Sequence, residues 1–262
     1  MQRLRRLMAR RSCRLNEGCF VAEGAKVLGE ALAAGSRVES VYVDPAPAGP
    51  ELAALLARCL DAGSRVFELD EGVLERVAGT VTPQPVLAVV GDVDITLGDL
   101  GALGADLVVV CVDVRDPGNA GTVLRSAEAA GAGGIIFCDG SVDVYNPKTV
   151  RASAGAVFHI PLVAGGEVTS VLETVSGWGL HRVGTAARRG RDYTDMDLGR
   201  ATAVVIGNEA TGLPAGAEAG IDEWLSIPMV GRAESLNVGM AATLVCFEAA
   251  RQRRATGAGS AG

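Results

Sequence analysis

Histidine is scarce in this sequence, with two in 262 residues, so a histidine-rich metal centre is not expected. The six cysteines, Cys13, Cys19, Cys59, Cys111, Cys138 and Cys246, form no Cys-x-x-Cys pair. Four of them sit inside apolar segments, where a thiol behaves as a small hydrophobe. Reduced, buried thiols in a cytoplasmic protein are the expectation. No apolar run approaches the length that spans a bilayer. The basic opening, MQRLRRLMARRSCRL, is not followed by an apolar stretch and a small-residue cleavage site, so a signal peptide is not expected. There is no internal repeat. Neither a Gly-x-Gly-x-x-Gly fingerprint nor a phosphate-binding P-loop is present, which argues against a dinucleotide or ATP.

Apolar residues make up 48% of the chain, enough for a sizeable core. The net charge of −7 argues against nucleic acid, but its distribution does not. Arg3, Arg5, Arg6, Arg10, Arg11 and Arg14 crowd the first fourteen residues, with no acid among them. Such a patch can grip phosphates, or it can be a solvated arm.

The pattern divides the chain in two. Residues 1–92 alternate: helix 22–34, strand 38–43, helix 51–61, strand 65–69, a short helix capped by Asp70, and strand 86–90. Residues 93–105, rich in Gly and Asp, are the expected linker. Residues 106–254 restart with an apolar strand at 107–112, then helix 120–130, strand 134–138, helix 147–156 and a strand near 158–162. A final helix is expected at 236–251. Continuous apolar strands suit an α/β domain whose parallel sheet is covered on both faces. The tail 255–262 is small and polar, and mobility is expected there.

Three stretches look unlike ordinary core. The first leaves a strand at Asp113, turns at Pro117 and Gly118, and enters a helix bearing Asn119, Gly121 and Arg125. Strand C-termini in open α/β sheets are where ligands sit. Asn119 could simply cap the helix, but Arg125 is a lone cation on a small, apolar helix. The second breaks an apolar strand at Gly207, Asn208 and Glu209, followed by Gly212 and Pro214. The third runs Ile227-Pro228-Met229, then Ser235-Leu236-Asn237. Ser235 could be an N-cap, which leaves Asn237 without a role in capping.

Together these stretches resemble the three signature motifs of the SpoU/TrmH family, within the SPOUT class of RNA methyltransferases. Asn119-x-Gly121-x-x-x-Arg125 resembles the first, Gly207-Asn208-Glu209-x-x-Gly212-Leu213 the second, and Ile227-Pro228-Met229 with Ser235-Leu236-Asn237-Val238 the third. Phe20-Val21-Ala22-Glu23-Gly24 and the elements after it are similar to the substrate-binding domain of the ribosomal-RNA branch, which resembles small ribosomal proteins. Gly239 stands where many relatives carry serine.

The resemblance implies an S-adenosylmethionine-dependent 2′-O-ribose methyltransferase acting on RNA, most directly 23S ribosomal RNA. Transfer RNA is the alternative substrate, and a catalytically silent RNA-binding or assembly protein the alternative class. It implies a deep trefoil knot near the C-terminus, and a homodimer with the active site at its interface. Arg125, Asn119, Glu209, Ser235 and Asn237 are the implied catalytic set. Gly207, Asn208, Ile227, Met229 and Leu236 are the implied cofactor contacts, and the six N-terminal arginines the implied RNA contacts. No metal, membrane or DNA partner is expected.

Overall fold

The computed structural model describes residues 1–44, 49–78 and 84–255. The expectation for the tail 255–262 lies outside the described residues from position 256 onward. The chain divides into two compact units, Met1–Val93 with Tyr145–His159, and Asp94–Val144 with Ile160–Gly262.

The first unit opens with two helices where the sequence suggested an arm. In α1 (Gln2–Ala9), Leu4 and Leu7 are buried, and α2 (Arg11–Glu17) ends at Gly18 in the left-handed conformation. Leu4 and Leu7 pack with Val21, Leu74, Leu87 and Val89, which holds α1 on the sheet. The strand β1 (Cys19–Glu23) is entirely buried. It occupies residues that the sequence assigned in part to a helix, and α3 (Ala25–Ala33) starts only after Gly24 (φ +102°). A fully buried strand shows no period-2 alternation, so its pattern resembles a helix start.

The remaining elements are β2 (Val38–Val43), α4 (Pro50–Asp61), β3 (Arg65–Glu68), α5 (Val73–Ala78) and β4 (Val86–Gly91). The sheet runs β1-β4-β2-β3, antiparallel except for β2 with β3.

The second unit begins inside the expected linker. Thr96 and Asp99 form a reciprocal capping box that starts α6 (Leu97–Ala102). Then come β5 (Leu107–Cys111), α7 (Pro117–Ala129) and β6 (Gly134–Phe137). The following helix, α8 (Pro147–Ser153), belongs to the first unit, although the sequence placed it with the second. There Tyr145 stacks on Phe20 at 4.6 Å between ring centroids, and Arg151 pairs with the buried Glu23 at 3.3 Å. A three-residue 3-10 turn, Ala156–Phe158, replaces the start of the expected strand, and β7 (Leu162–Ala164) lies later.

The chain continues through α9 (Val168–Gly177), β8 (His181–Thr185), β9 (Arg191–Asp192), β10 (Thr202–Ile206), α10 (Ala215–Glu218), β11 (Glu223–Ser226) and α11 (Val238–Ala255). All seven strands are parallel, in the order β7-β6-β5-β10-β8-β11-β9. β5 and β10 are buried along their whole length, as their unbroken apolar sequences require.

The last helix is anchored at both ends. At its start, Asn237 Oδ1 accepts the amide of Gly239 at 2.9 Å, so Asn237 is the cap and helix entry lies two residues later than the sequence suggested. Near its end, the buried Arg253 donates to the carbonyls of Asp106 (2.8 Å), Arg200 (2.6 Å) and Leu198 (3.2 Å). Its guanidinium also pairs with the Asp106 carboxylate at 2.7 Å. Removing it strands several acceptors, so Arg253→Ala should lose about 2–4 kcal/mol of stability. Urea denaturation of the variant beside Arg253→Lys checks this; unchanged stability in the alanine variant would show that the anchor is idle.

Candidate active site

The C-terminal ends of β8, β10 and β11 open onto a cavity of about 310 Å³ within the second unit. β8 contributes Thr185 and the small residues Ala186 and Ala187. β10 contributes the loop from Gly207 to Gly212, and β11 contributes Leu225, Ile227 and Met229. Ser235, Leu236 and the first turns of α11 close the far side. The lining is mainly aliphatic, with Thr185, Asn208, Glu209, Thr211 and Ser235 as its polar side chains. That is the make-up of a site for a nucleoside-sized ligand.

The β10 loop is held by its own backbone. Asn208 and Gly212 exchange hydrogen bonds at 3.1 and 2.9 Å, and Gly212 takes φ +67°. A Cβ on Gly207 would stand 2.6 Å from the Gly212 carbonyl carbon, so only glycine allows this closure. The Asn208 side chain is committed to the same task. Its Oδ1 accepts Ala210 N at 2.9 Å, and its Nδ2 donates to Asp113 O at 3.0 Å, tying the β10 loop to the β5 loop. Asp113 itself adopts φ +56°, uncommon for a residue with a side chain. Asn208 lines the cavity chiefly as a brace.

The capping of α7 also differs from the sequence reading. Asp116 is the N-cap, accepting Asn119 N at 2.8 Å, with Pro117 in the first turn. Asn119 is therefore freed from capping. Its Nδ2 donates to the Glu209 carboxylate, and its Oδ1 accepts Asn237 Nδ2 at 2.8 Å. Three residues drawn from the three sequence stretches thus form one hydrogen-bonded chain. Each amide is oriented by its partners: Asn237 must present its nitrogen to Asn119, because its oxygen holds the start of α11. Ser235 lines the cavity, while Asn119 and Asn237 stand beside it.

Arg125 stands apart. It is exposed on α7, its side chain makes no hydrogen bond or ion pair with any described residue, and it is absent from the cavity lining. No lysine or arginine lines that cavity among the described residues.

The N-terminal arginines divide into two groups. Arg3 pairs with Glu39 at 2.6 Å and with Glu17, and Arg14 is buried with its guanidinium on the last carbonyls of α1. The Arg3 hydrogen bonds hold the Glu39 carboxyl below its usual range. Both arginines therefore have partners within the first unit that hold its helices and sheet together. Arg5, Arg6, Arg10 and Arg11 remain exposed.

The cysteines follow the sequence reading in being free, and all but Cys13 are buried. Burial pushes the Cys138 and Cys246 thiols up to about 12, which suits inert core positions. Among the described residues no metal-ligating cluster exists, and no helix is long and apolar enough to cross a membrane.

The model of the SpoU rRNA Methylase family matches residues 106–247, and that of the MRM3-like substrate binding domain matches residues 1–88. The 23S rRNA (guanosine(2553)-2′-O)-methyltransferase RlmP of Bacillus subtilis is 32% identical over 234 residues, covering 89% of each chain. The 23S rRNA (uridine(2479)-2′-O)-methyltransferase of Streptomyces viridochromogenes is 33% identical over 260 residues, covering 96% of this chain and 89% of that one. Among solved structures, the SpoU methyltransferase AviRb of Streptomyces viridochromogenes, in complex with its cofactor AdoMet, superposes with a TM-score of 0.85 at 30% identity. That match covers 97% of this chain and 98% of that one. Full-length similarity, a parallel seven-stranded sheet and three motifs gathered at one end of it place this chain in the SpoU methylase family.

Proposed function

We propose that this chain transfers a methyl group from S-adenosylmethionine to a ribose 2′-hydroxyl of 23S ribosomal RNA. The carrying observation is the cavity at the ends of β8, β10 and β11, with the Asn119–Glu209–Asn237 chain beside it. The residues fit the cofactor. Leu225, Ile227, Met229 and Leu236 offer apolar surface for an adenine, and the closed Gly207 loop offers backbone polar groups at short range.

When bound, S-adenosylmethionine supplies an electrophilic methyl on a sulfonium, so the protein's contribution is positioning and charge. Glu209, held by Asn119, and Ser235 orient the ribose. Arg125 stabilises the developing alkoxide and holds the adjacent phosphate bidentately. A guanidinium is too weakly acidic to serve as a base near neutral pH, so its role is electrostatic.

Among the described residues the cavity has no cation of its own. The reading therefore includes a two-fold dimer in which Arg125 of one subunit serves the cavity of the other. Support comes from α11. Its inner face, Val238, Ala242, Val245 and Ala249, is buried, while Met240, Leu244 and Phe247 are 60%, 39% and 45% exposed on the other side. A helix apolar on two faces needs two partners. The same reading makes the Gly207 and Ile227 loops parts of a C-terminal trefoil knot. It makes the first unit the RNA-holding domain, with Arg5, Arg6, Arg10 and Arg11 as sequence-independent phosphate contacts, in a cytoplasmic setting.

The test supplies purified protein, methyl-labelled S-adenosylmethionine and 23S ribosomal RNA. Label should appear at one nucleotide whose 3′ phosphodiester resists alkali, because the 2′ nucleophile is blocked. Label on a base, with that linkage still alkali-labile, would overturn the reading.

A further inference from the structure

The second unit is strongly acidic. Its sequence holds nineteen acids against eleven arginines and no lysine. A phosphate backbone approaching this unit meets net repulsion unless cations are concentrated where it lands. Five of the eleven arginines are occupied elsewhere: Arg115 on Asp113, Arg182 on Asp222, Arg200 on Glu223, Arg251 on Glu248, and Arg253 in its anchor.

Four arginines instead gather on the two loops that border the cofactor cavity. Arg188, Arg189 and Arg191 directly follow the cavity-lining Ala186 and Ala187, and Arg232 precedes the cavity-lining Ser235.

The first loop is built to hold its arginines in place. The Arg189 guanidinium lies 3.6 Å from the Trp224 ring centroid and pairs with Glu218 at 2.6 Å. Gly190 takes φ +105°, and any Cβ there would collide with the Trp224 carbonyl. Arg191 and Asp192 then pair in register with Leu225 and Ser226, and Leu225 lines the cavity. Arg189 is thus a pin, and it sets its neighbours at the cavity rim. The side chains of Arg191 and Arg232 are exposed and make no hydrogen bond or ion pair with any described residue.

Arg188 reaches across to the second loop and meets Glu234 at 3.1 Å, with the two side chains 72% and 82% exposed. An ion pair so exposed is weak and exchanges readily for a better anion. A phosphate offers more acceptor oxygens than Glu234 and can be held bidentately.

We propose that Arg188, Arg191 and Arg232 form a phosphate-binding rim that seats the RNA strand over the cavity, and that Glu234 occupies Arg188 until a phosphate displaces it. This rests on the RNA-methylating function proposed above. It assigns to the second unit a substrate contact separate from Arg125 and from the N-terminal helices. Glu234 then acts as a competitor that weakens binding of RNA.

The experiment compares wild type, the triple variant Arg188→Ala/Arg191→Ala/Arg232→Ala, Glu234→Gln, and Glu234→Gln combined with Arg188→Ala. The probe is a 23S ribosomal RNA transcript, read by steady-state methylation and by RNA binding across salt concentrations. S-adenosylmethionine affinity is measured by calorimetry to establish that each variant keeps its cavity.

In the triple variant the KM for RNA should rise at least tenfold, with kcat at saturating RNA within about twofold of wild type. The slope of log affinity against log salt should shrink by about 2, since each lost contact to a single strand removes about 0.7. Glu234→Gln should lower the KM for RNA severalfold, and that gain should vanish in the Arg188→Ala background.

A triple variant that binds cofactor normally, and matches wild type in KM and salt slope, would overturn the rim alone. A rise in KM with Glu234→Gln would overturn the displacement step. Wild-type protein that methylates no ribosomal RNA would instead overturn the functional reading, and the rim with it.

Discussion

Arg125→Ala should abolish detectable methyl transfer, a loss of at least about 10²–10³-fold, while the protein stays folded and binds S-adenosylmethionine normally. The expected stability change is small because Arg125 is exposed and makes no contact that its own unit needs. Cofactor affinity should hold because the proposal assigns Arg125 to the ribose and its phosphate, and Arg125 does not line its own chain's cavity.

On the proposed mechanism the loss arises in the transition state, where the Arg125 cation faces the developing alkoxide. Mixing shows whose cavity Arg125 serves. Asn237→Ala should also be inactive alone, since Asn119 loses its orienting amide and α11 loses its cap. In a heterodimer of Arg125→Ala with Asn237→Ala, one composite site would have an intact cavity and an intact arginine. The other would carry both lesions. About half of the activity per dimer should therefore return. If Arg125 served its own chain, every site in the heterodimer would carry one lesion and nothing would return. Purified heterodimers and a single-turnover assay separate the two outcomes.

Gly207→Ala should be the most damaging single change to cofactor binding. The added methyl group would stand 2.6 Å from the Gly212 carbonyl carbon and 2.7 Å from its oxygen. Backbone atoms at that range cannot yield as a flexible side chain can. The loop must open, and the reciprocal hydrogen bonds between Asn208 and Gly212 are lost with it. A cost of a few kcal/mol in the bound geometry corresponds to roughly a hundredfold weaker S-adenosylmethionine binding, at about 1.4 kcal/mol per decade. The fold should persist, since β10 itself is untouched. Calorimetry on Gly207→Ala reads the effect, and an affinity within twofold of wild type would show that the closed loop is not part of the cofactor site.

How far the site was legible in the sequence depended on the kind of signal. β5 and β10 stood out because a strand buried on both faces is an unbroken apolar run. The stretches that follow β10 and β11 and that open α7 stood out because their glycines and polar residues interrupt that pattern. Their meeting point depends on strand order, which places β10 beside β5 and β8 beside β11.

The caps were left open where the signal was present. Asp116-Pro117 is a cap followed by a proline in the first turn, and recognising it removes the capping alternative for Asn119. Asn237 does both jobs, because one amide oxygen can cap while its nitrogen serves Asn119.

Other features had no local signal. Arg3 and Arg14 look like their four neighbours until Glu17, Glu39 and the end of α1 are brought to them by the fold. The β1 strand was hidden by an absence of alternation, and α8 by a grouping that only tertiary packing reveals. Thr185, Ala186 and Ala187 were missed as cavity residues, although small residues directly after a strand are what a closely approached ligand requires.

The most direct measurement of the central claim is mass-spectrometric mapping of ribose methylation in 23S ribosomal RNA, from cells with and without this protein. One 2′-O-methylated nucleotide should vanish on its removal. It should return with the wild-type chain, and stay absent with Arg125→Ala. An unchanged 2′-O-methylation map in the deleted cells, with the modification lost from a base instead, would contradict the account.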